Sequence, residues 1–433
     1  MITVVSAPES LLPREKSNGM KLFSQYARPA KDGLGWFARE LPSKIRAKGF
    51  SVDQVAWDFL TIALSAFAAD RSVLRKTSPD GWTREIKLVV HVCEPLVWRG
   101  VVNKVEQMLR FLTGDFWHLD IQAGGTKPPM RPRPSKKKEY AKKYDEADCV
   151  ALLSGGMDSL IGCIDLVEDG RRPIFVSQVV PSNAEYQRTF ADSIRADSVM
   201  LQFNHSIKVP DKESETSTRG RSIVFFAFAA IAACAIRQDG VDIVPIYVSE
   251  NGFISLNVAL NSGRVGSLST KTTHPSYMKM LSEIWDAVGI KCKLILPYRF
   301  KTKGEMVKGC KNRNRLISLM QYSTSCSRFA THERRHCGRC VPCLVRAAAF
   351  QMAGIVDHTD YKFLTDDYRR KNAADDVGAM AGACLRMHEL DFESTIAGDF
   401  LFAPKDERVR YKGVYRRGLA EVEEYLKRRG VLS

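Results

Sequence analysis

The chain has 433 residues, a length that accommodates two or three domains. Hydrophobic residues make up 45% and charged residues 26%, which excludes a disordered or low-complexity chain. The formal charge of +16 at pH 7 points to an anionic partner (nucleotide, nucleic acid or an acidic protein face) or to a basic surface with no specific partner.

No secretory signal is legible where Met1-Ile2-Thr3-Val4-Val5 soon meets Pro8 and Glu9. The longest apolar run, Ile223 to Ile236, lies between Arg221 and Arg237. It is too short to span a bilayer and reads as a buried helix. Eleven cysteines without an export signal suit a reducing cytosol, with metal binding rather than disulfides. A cytoplasmic protein that does not enter the membrane is expected.

Residues 1–123 read as an N-terminal α+β domain. Gln54 to Asp70 has a helical apolar face of Val55, Phe59, Ile62, Ala63, Ala66 and Phe67. Arg84 to Val92 reads as a strand, Trp98 to Leu112 as a helix and Phe116 to Ile121 as a second strand. No catalytic constellation is present there. His91 and His118, lone histidines in apolar strands, read as satisfied core residues. Residues 124–147 then turn rich in Pro and Lys, from Gly124-Gly125 through Pro132, Pro134 and Lys136-Lys137-Lys138, and read as a linker.

In Cys149-Val150-Ala151-Leu152-Leu153-Ser154-Gly155-Gly156-Met157-Asp158-Ser159 an apolar run ends in Ser-Gly-Gly-x-Asp-Ser, and an amphipathic stretch follows. This spacing predicts a buried parallel strand, a tight turn and a helix. Gly155 and Gly156 let the backbone approach a ligand, and the free N–H groups of the helix start suit phosphate. Ser154 and Ser159 add hydroxyl donors, and Asp158 can help hold Mg²⁺ or orient the loop. The loop lacks the Gly-Lys-Ser/Thr of a Walker motif. It resembles the pyrophosphate loop of the N-type ATP pyrophosphatases, which split ATP into AMP and pyrophosphate.

Across residues 148–310 strands are predicted at Val150–Leu153, Ile174–Val179, Ser198–Phe203, Ile243–Val248 and Lys291–Leu296. Helices are predicted at Leu160–Glu168, Glu185–Ile194, Arg221–Gln238 and Tyr277–Val288. The alternation implies an α/β, doubly wound parallel sheet of the adenine nucleotide alpha hydrolase-like, PP-loop kind, with ligands at the carboxyl ends of its strands. Arg219-Gly220-Arg221 opens the long apolar helix and forms a second candidate anion point. Lys303, which follows the last strand and starts a helix, is a third.

Residues 311–361 form a zinc-knuckle segment. Cys326, Cys337, Cys340 and Cys343 include two Cys-x-x-Cys steps sharing Cys340. Four thiolates can close a tetrahedral structural Zn²⁺ site with no open position. An iron–sulfur cluster is the alternative, and His332 or His336 could replace one thiol. Residues 362–433 read as a C-terminal helical extension.

Taken in order, the glycine loop, the Arg-Gly-Arg helix start, Lys303, the four-cysteine knuckle and Ala353-Gly354-Ile355-Val356-Asp357-His358 resemble the 7-cyano-7-deazaguanine synthase (QueC) family. The resemblance covers about residues 148–361. It implies ATP bound by Ser154, Gly155, Gly156, Asp158 and Ser159, with zinc on the four cysteines. It also implies activation of the carboxylate of 7-carboxy-7-deazaguanine as an acyl-adenylate. Ammonia then attacks, and a second ATP drives dehydration to the nitrile. Two features depart from the family: the first 147 residues, and Glu250-Asn251-Gly252-Phe253-Ile254-Ser255-Leu256-Asn257 with its continuation to Tyr277. With its N-terminal extension the chain looks most like the QueC-like component of the Qat anti-phage defence system. That component works beside an ATPase, a small partner protein and a TatD-like nuclease. The acyl acceptor would then be ammonia or an amine on a partner protein. Asp158, Arg219, Arg221 and Lys303 are the expected charge-stabilising groups. A tRNA- or other nucleic-acid-modifying enzyme, and a non-catalytic scaffold that binds defence partners through residues 1–123, are the competing readings.

Overall fold

The computed structural model describes residues 1–15, 19–130, 144, 146–179, 184–236, 243–260, 271–366 and 375–433. The Lys136-Lys137-Lys138 run lies outside these residues.

The first sheet contains β1 (Ile2–Ala7), β2 (Lys21–Gln25), β3 (Gly35–Phe37), β4 (Glu85–Val92) and β5 (Phe116–Ala123), in the order β3-β2-β1-β4-β5. Every pairing in it is parallel. This differs from the α+β module expected: three strands of three to six residues precede the two legible ones, too short for a period to emerge. Its helices are α1 (Leu41–Lys48), α2 (Gln54–Ser72), α3 (Pro95–Arg99) and α4 (Val102–Thr113). The helix expected over Trp98–Leu112 is broken at Gly100-Val101 into α3 and α4. His118 is exposed beside Glu85, and His91 is half-buried with Nδ1 2.6 Å from the Ala123 carbonyl, so neither is the core residue expected.

The second sheet contains β6 (Cys149–Leu152), β7 (Pro173–Gln178), β8 (Val199–Phe203), β9 (Val244–Tyr247) and β10 (Cys292–Ile295), ordered β10-β9-β6-β7-β8 and parallel throughout. The alternation predicted from the sequence is present, with ends shifted by at most three residues, except that the helix expected over Arg221–Gln238 ends at Ala233. The described helix α7 runs over Arg221–Ala233. The other helices are α5 (Met157–Glu168), α6 (Ala184–Ile194), α8 (Gly252–Leu256), α9 (Pro275–Val288), α10 (Lys303–Lys308), α11 (Arg313–Met320) and α12 (Val341–Ala353). Counted from its own first strand, each sheet has the same order: third, second, first, fourth, fifth. Each therefore reverses direction between its first and fourth strands, where an open α/β sheet places its crevice.

Helix α7 is apolar on every side, so it must be covered all round. Sheet two lies on one flank and α2 of the first sheet on another. Phe59 of α2 meets Trp285 of α9 edge-on at 5.8 Å between centroids. Val4 and Leu88 of the first sheet share one contiguous apolar core with Val150 and Ile246 of the second.

After α12 the chain continues as α13 (Val377–Arg386), α14 (Phe392–Thr395) and α15 (Lys405–Arg428). Tyr411, Val414 and Leu419 of α15 bury against Phe253 of α8 and Leu344 of α12. Among the described residues no helix is long and apolar enough to cross a membrane.

Candidate active site

The glycine loop lies at the carboxyl end of β6, beside β9, at the point where the second sheet reverses. Gly155 has φ +90°, a conformation that costs an L-residue about 1–2 kcal/mol, and its carbonyl accepts from the Thr324 N–H at 2.9 Å. Ser154 and Ser159 tie the loop to the first turn of α5. Their hydroxyl oxygens are 3.0 Å apart, and Ser159 Oγ donates to the Gly156 carbonyl at 2.9 Å. Gln187 of α6 donates to the Ser154 carbonyl at 3.1 Å. The loop is thus held from three sides while its inner face stays clear.

That face opens onto a cavity of about 590 Å³. Ser154, Gly156, Asp158 and Ser159 line it from one side, and Arg219, Arg221 and Lys303 also line it. Residues expected from separate motifs therefore meet around one space. Lys303 reaches it because Thr302 and Glu305 form a capping box that starts α10 there. A second cavity of about 300 Å³ shares Glu250 and Thr273 with the first, and is bounded by the start of α9 and by Phe402 and Tyr411.

Asp158 is buried, and its two oxygens are both engaged. One forms an ion pair with Lys303 Nζ, and the other accepts from the Asn251 side-chain amide at 2.6 Å and backbone N–H at 3.1 Å. Burial drives this carboxyl up, but the Lys303 charge and the hydrogen bonds outweigh it and hold it below the ordinary carboxylate range. Asp158 thus ties Lys303 of α10 and Asn251 to the first turn of α5. Glu250, beside it, is pushed well above the usual carboxyl range by burial and by the Asp158 charge.

The Arg219 side chain is buried, with Nε and Nη2 lacking any hydrogen-bond partner among the described residues. An unsatisfied buried guanidinium is costly, and an anion in the cavity would relieve it. Its guanidinium carbon lies 5.9 Å from the centre of the Trp82 ring. Arg221 is exposed at the cavity rim.

The four cysteines form a separate centre. The sulfurs of Cys326, Cys337, Cys340 and Cys343 all lie within 4.8 Å of one another and the residues are buried. The Cys337–Cys343 and Cys326–Cys340 sulfurs are 3.9 Å apart. A tetrahedral ion with metal–sulfur bonds of about 2.3 Å needs edges of about 3.8 Å, so the set fits Zn²⁺. Backbone N–H groups of Cys337 and Cys340 point at Cys326 and Cys337 sulfurs at 3.3 Å, which offsets thiolate charge. His336 is not a ligand: its Nε2 accepts from the Ser325 N–H at 3.2 Å, and burial lowers it to about 4. His332 is likewise outside the cluster. All four ligand positions are filled by protein, so a metal there would hold structure and not substrate.

No family model matches the chain, and no solved structure matches it. Curated proteins do. A 7-cyano-7-deazaguanine synthase of Methanocaldococcus jannaschii is 40% identical over 73 residues, 16% of this chain and 32% of the relative. The synthase of Methanococcus maripaludis is 38% identical over 73 residues, 16% and 31% respectively. That of Brucella ovis is 41% identical over 71 residues, 16% and 28%. The chain is QueC-like over that part. It spans about a third of the length of these curated relatives.

Sequence reasoning located the loop and the three cations, but missed Glu250 and Asn251 as neighbours of Asp158. Asn251 lies 93 residues from Asp158 in the chain. The usable signal is position: Ser249-Glu250-Asn251 comes one residue after β9, the strand beside the glycine loop.

Proposed function

We propose that this protein is a QueC-like ATP pyrophosphatase that adenylates the carboxylate of a 7-deazaguanine-type acid for transfer to an amine. One observation carries the reading: a loop with the pyrophosphate-loop pattern, two arginines and a lysine line one cavity at the reversal point of a parallel sheet. The local similarity to 7-cyano-7-deazaguanine synthases supplies the substrate class.

A free carboxylate is a poor acyl donor because its oxide leaves badly. A carboxylate oxygen attacks the α-phosphorus of ATP, the bond to the pyrophosphate oxygen breaks, and an acyl-adenylate forms. An amine then adds to the acyl carbon, loses its proton, and AMP departs. The chain's share is charge and position. Loop N–H groups, Ser154 and Ser159 cradle phosphate. Lys303, fixed by Asp158, and the Arg219–Arg221 pair offset the charge that migrates to pyrophosphate. Loss of one such fixed donor costs about 3 kcal/mol, roughly a hundredfold in rate. The adjoining cavity at Glu250 gives space for a second reactant. Mg²⁺ would arrive with the nucleotide.

The acceptor is proposed to be ammonia or an amine of a partner protein, and the setting anti-phage defence. Incubation with ATP and 7-carboxy-7-deazaguanine, with and without co-expressed partner, tests this. AMP and pyrophosphate release together with a mass shift of acid or partner is expected. Absence of AMP under every acceptor overturns the enzymatic reading.

A further inference from the structure

The cavity's cations are fixed from behind by carboxylates that belong to neither the glycine loop nor the second sheet. Asp70, in the last turn of α2, is fully buried. Its Oδ2 accepts from the backbone N–H groups of Arg219 at 2.8 Å and Gly220 at 2.6 Å, the two residues that precede α7. Its Oδ1 accepts from Arg84 Nη2 at 2.5 Å. Arg84 also bonds Asp115 at 2.6 Å, and Arg75 bonds Asp115 at 2.9 Å. Two carboxylates and two guanidiniums thus neutralise one another out of water.

The C-terminal segment repeats the arrangement with Glu421 of α15. That carboxyl accepts from the Thr302 hydroxyl and, at 3.2 Å, from the Gly304 N–H, on either side of Lys303. A Cβ on Gly304 would lie 2.6 Å from Glu421, so the contact requires glycine. Arg417 of the same helix donates to the Phe300 carbonyl at 2.9 Å and to Glu305 at 2.6 Å. Each flanking segment therefore places one carboxylate on the N-terminal turn of the helix that carries a cavity cation.

We infer that Asp70 and Glu421 are positioning residues, through which the first and last segments of the chain set the Arg219–Arg221 and Lys303 turns for the nucleotide. This rests on the ATP reading proposed above. Buried ion networks add little net stability compared with apolar replacements, but they fix geometry when every member is satisfied. The residue whose backbone N–H Asp70 holds, Arg219, is itself one that lines the cavity.

The test is ATP affinity in the full-length protein, read beside the melting temperature without ATP. Asp70→Asn is expected to weaken ATP binding about tenfold, yet to change it less than twofold in an Arg219→Ala background. Glu421→Ala is expected to weaken ATP binding severalfold, and Glu421→Gln, which keeps an acceptor oxygen toward Gly304, to restore most of it. This second pair stands even if Asp70→Asn does not fold. Wild-type affinity in Asp70→Asn and Glu421→Ala, or strictly additive losses in Asp70→Asn/Arg219→Ala, would overturn the inference while leaving the ATP reading intact. A wild-type chain that binds no ATP would overturn both.

Discussion

The two sheets share one strand order but differ in what lies at their reversal points. In the second sheet the gap between β6 and β9 opens into the cation-lined cavity. In the first, the gap between β1 and β4 is filled by the chain itself. Gln25 Nε2 donates to the carbonyls of Ser6 at 3.0 Å and His91 at 2.9 Å, and its oxygen accepts from the Thr126 N–H at 3.1 Å. Gly125 lies so close to Val92 that a Cβ would sit 2.5 Å from its backbone. Asp58 takes the N–H groups of Cys93 and Glu94 at 2.7 and 2.8 Å, donors that would otherwise face a ligand. Strand order offers a crevice, and the residues that follow the strands decide whether it becomes a site or a seal.

The contrast yields predictions of decreasing size. The knuckle stands apart from both sheets, and its loss is expected to have the largest effect. Structural zinc contributes about 10 kcal/mol or more in small thiolate sites. Cys337→Ser should abolish one equivalent of bound zinc by metal analysis and lower the melting temperature by more than about 10 °C. Next is the buried pair inside the open crevice. Asp158→Asn leaves Lys303 buried without its counter-charge, so about 3–5 kcal/mol of stability in urea unfolding and at least a hundredfold in AMP release should be lost. The sealed crevice should behave oppositely. Gln25→Ala strands buried carbonyls at about 1–3 kcal/mol in stability, while ATP affinity should change less than twofold. Gly156→Val, whose Cβ would meet Ser154 Oγ at 3.3 Å, should cost about 1 kcal/mol or less in stability but remove ATP binding.

A separate effect is one of pH. Burial raises Glu421 to about 7. Its folded value then lies above the unfolded one, so between about pH 4.5 and 7 the folded state binds the extra proton. Stability should fall as pH rises through that window, by up to ~1.4 kcal/mol per unit. Glu421→Gln should flatten that part of the stability–pH curve measured by denaturant unfolding.

What was legible in the sequence was local chemistry. Ser154 to Ser159 and Cys337 to Cys343 carry their meaning within a few residues, and the structure brings each group together. What was not legible depends on distant pairings. Asp70 meets Arg219 across 149 residues, and Gly304 meets Glu421 across 117. Nothing at Asp70, at the end of an apolar helix pattern, marks it as a cap for another helix. The short strands β1, β2 and β3 carry no usable period, so from sequence the parallel sheet looks like an α+β module. Gly124 to Thr126 look like the start of a linker by composition, yet they close the first crevice.

The most direct measurement is a crystal structure of the full chain with a non-hydrolysable ATP analogue. The account predicts phosphates on the Ser154–Ser159 loop, within hydrogen-bond reach of Lys303 and Arg219, and no nucleotide on the first sheet. A nucleotide bound elsewhere, or a loop closed against its phosphates, would contradict it.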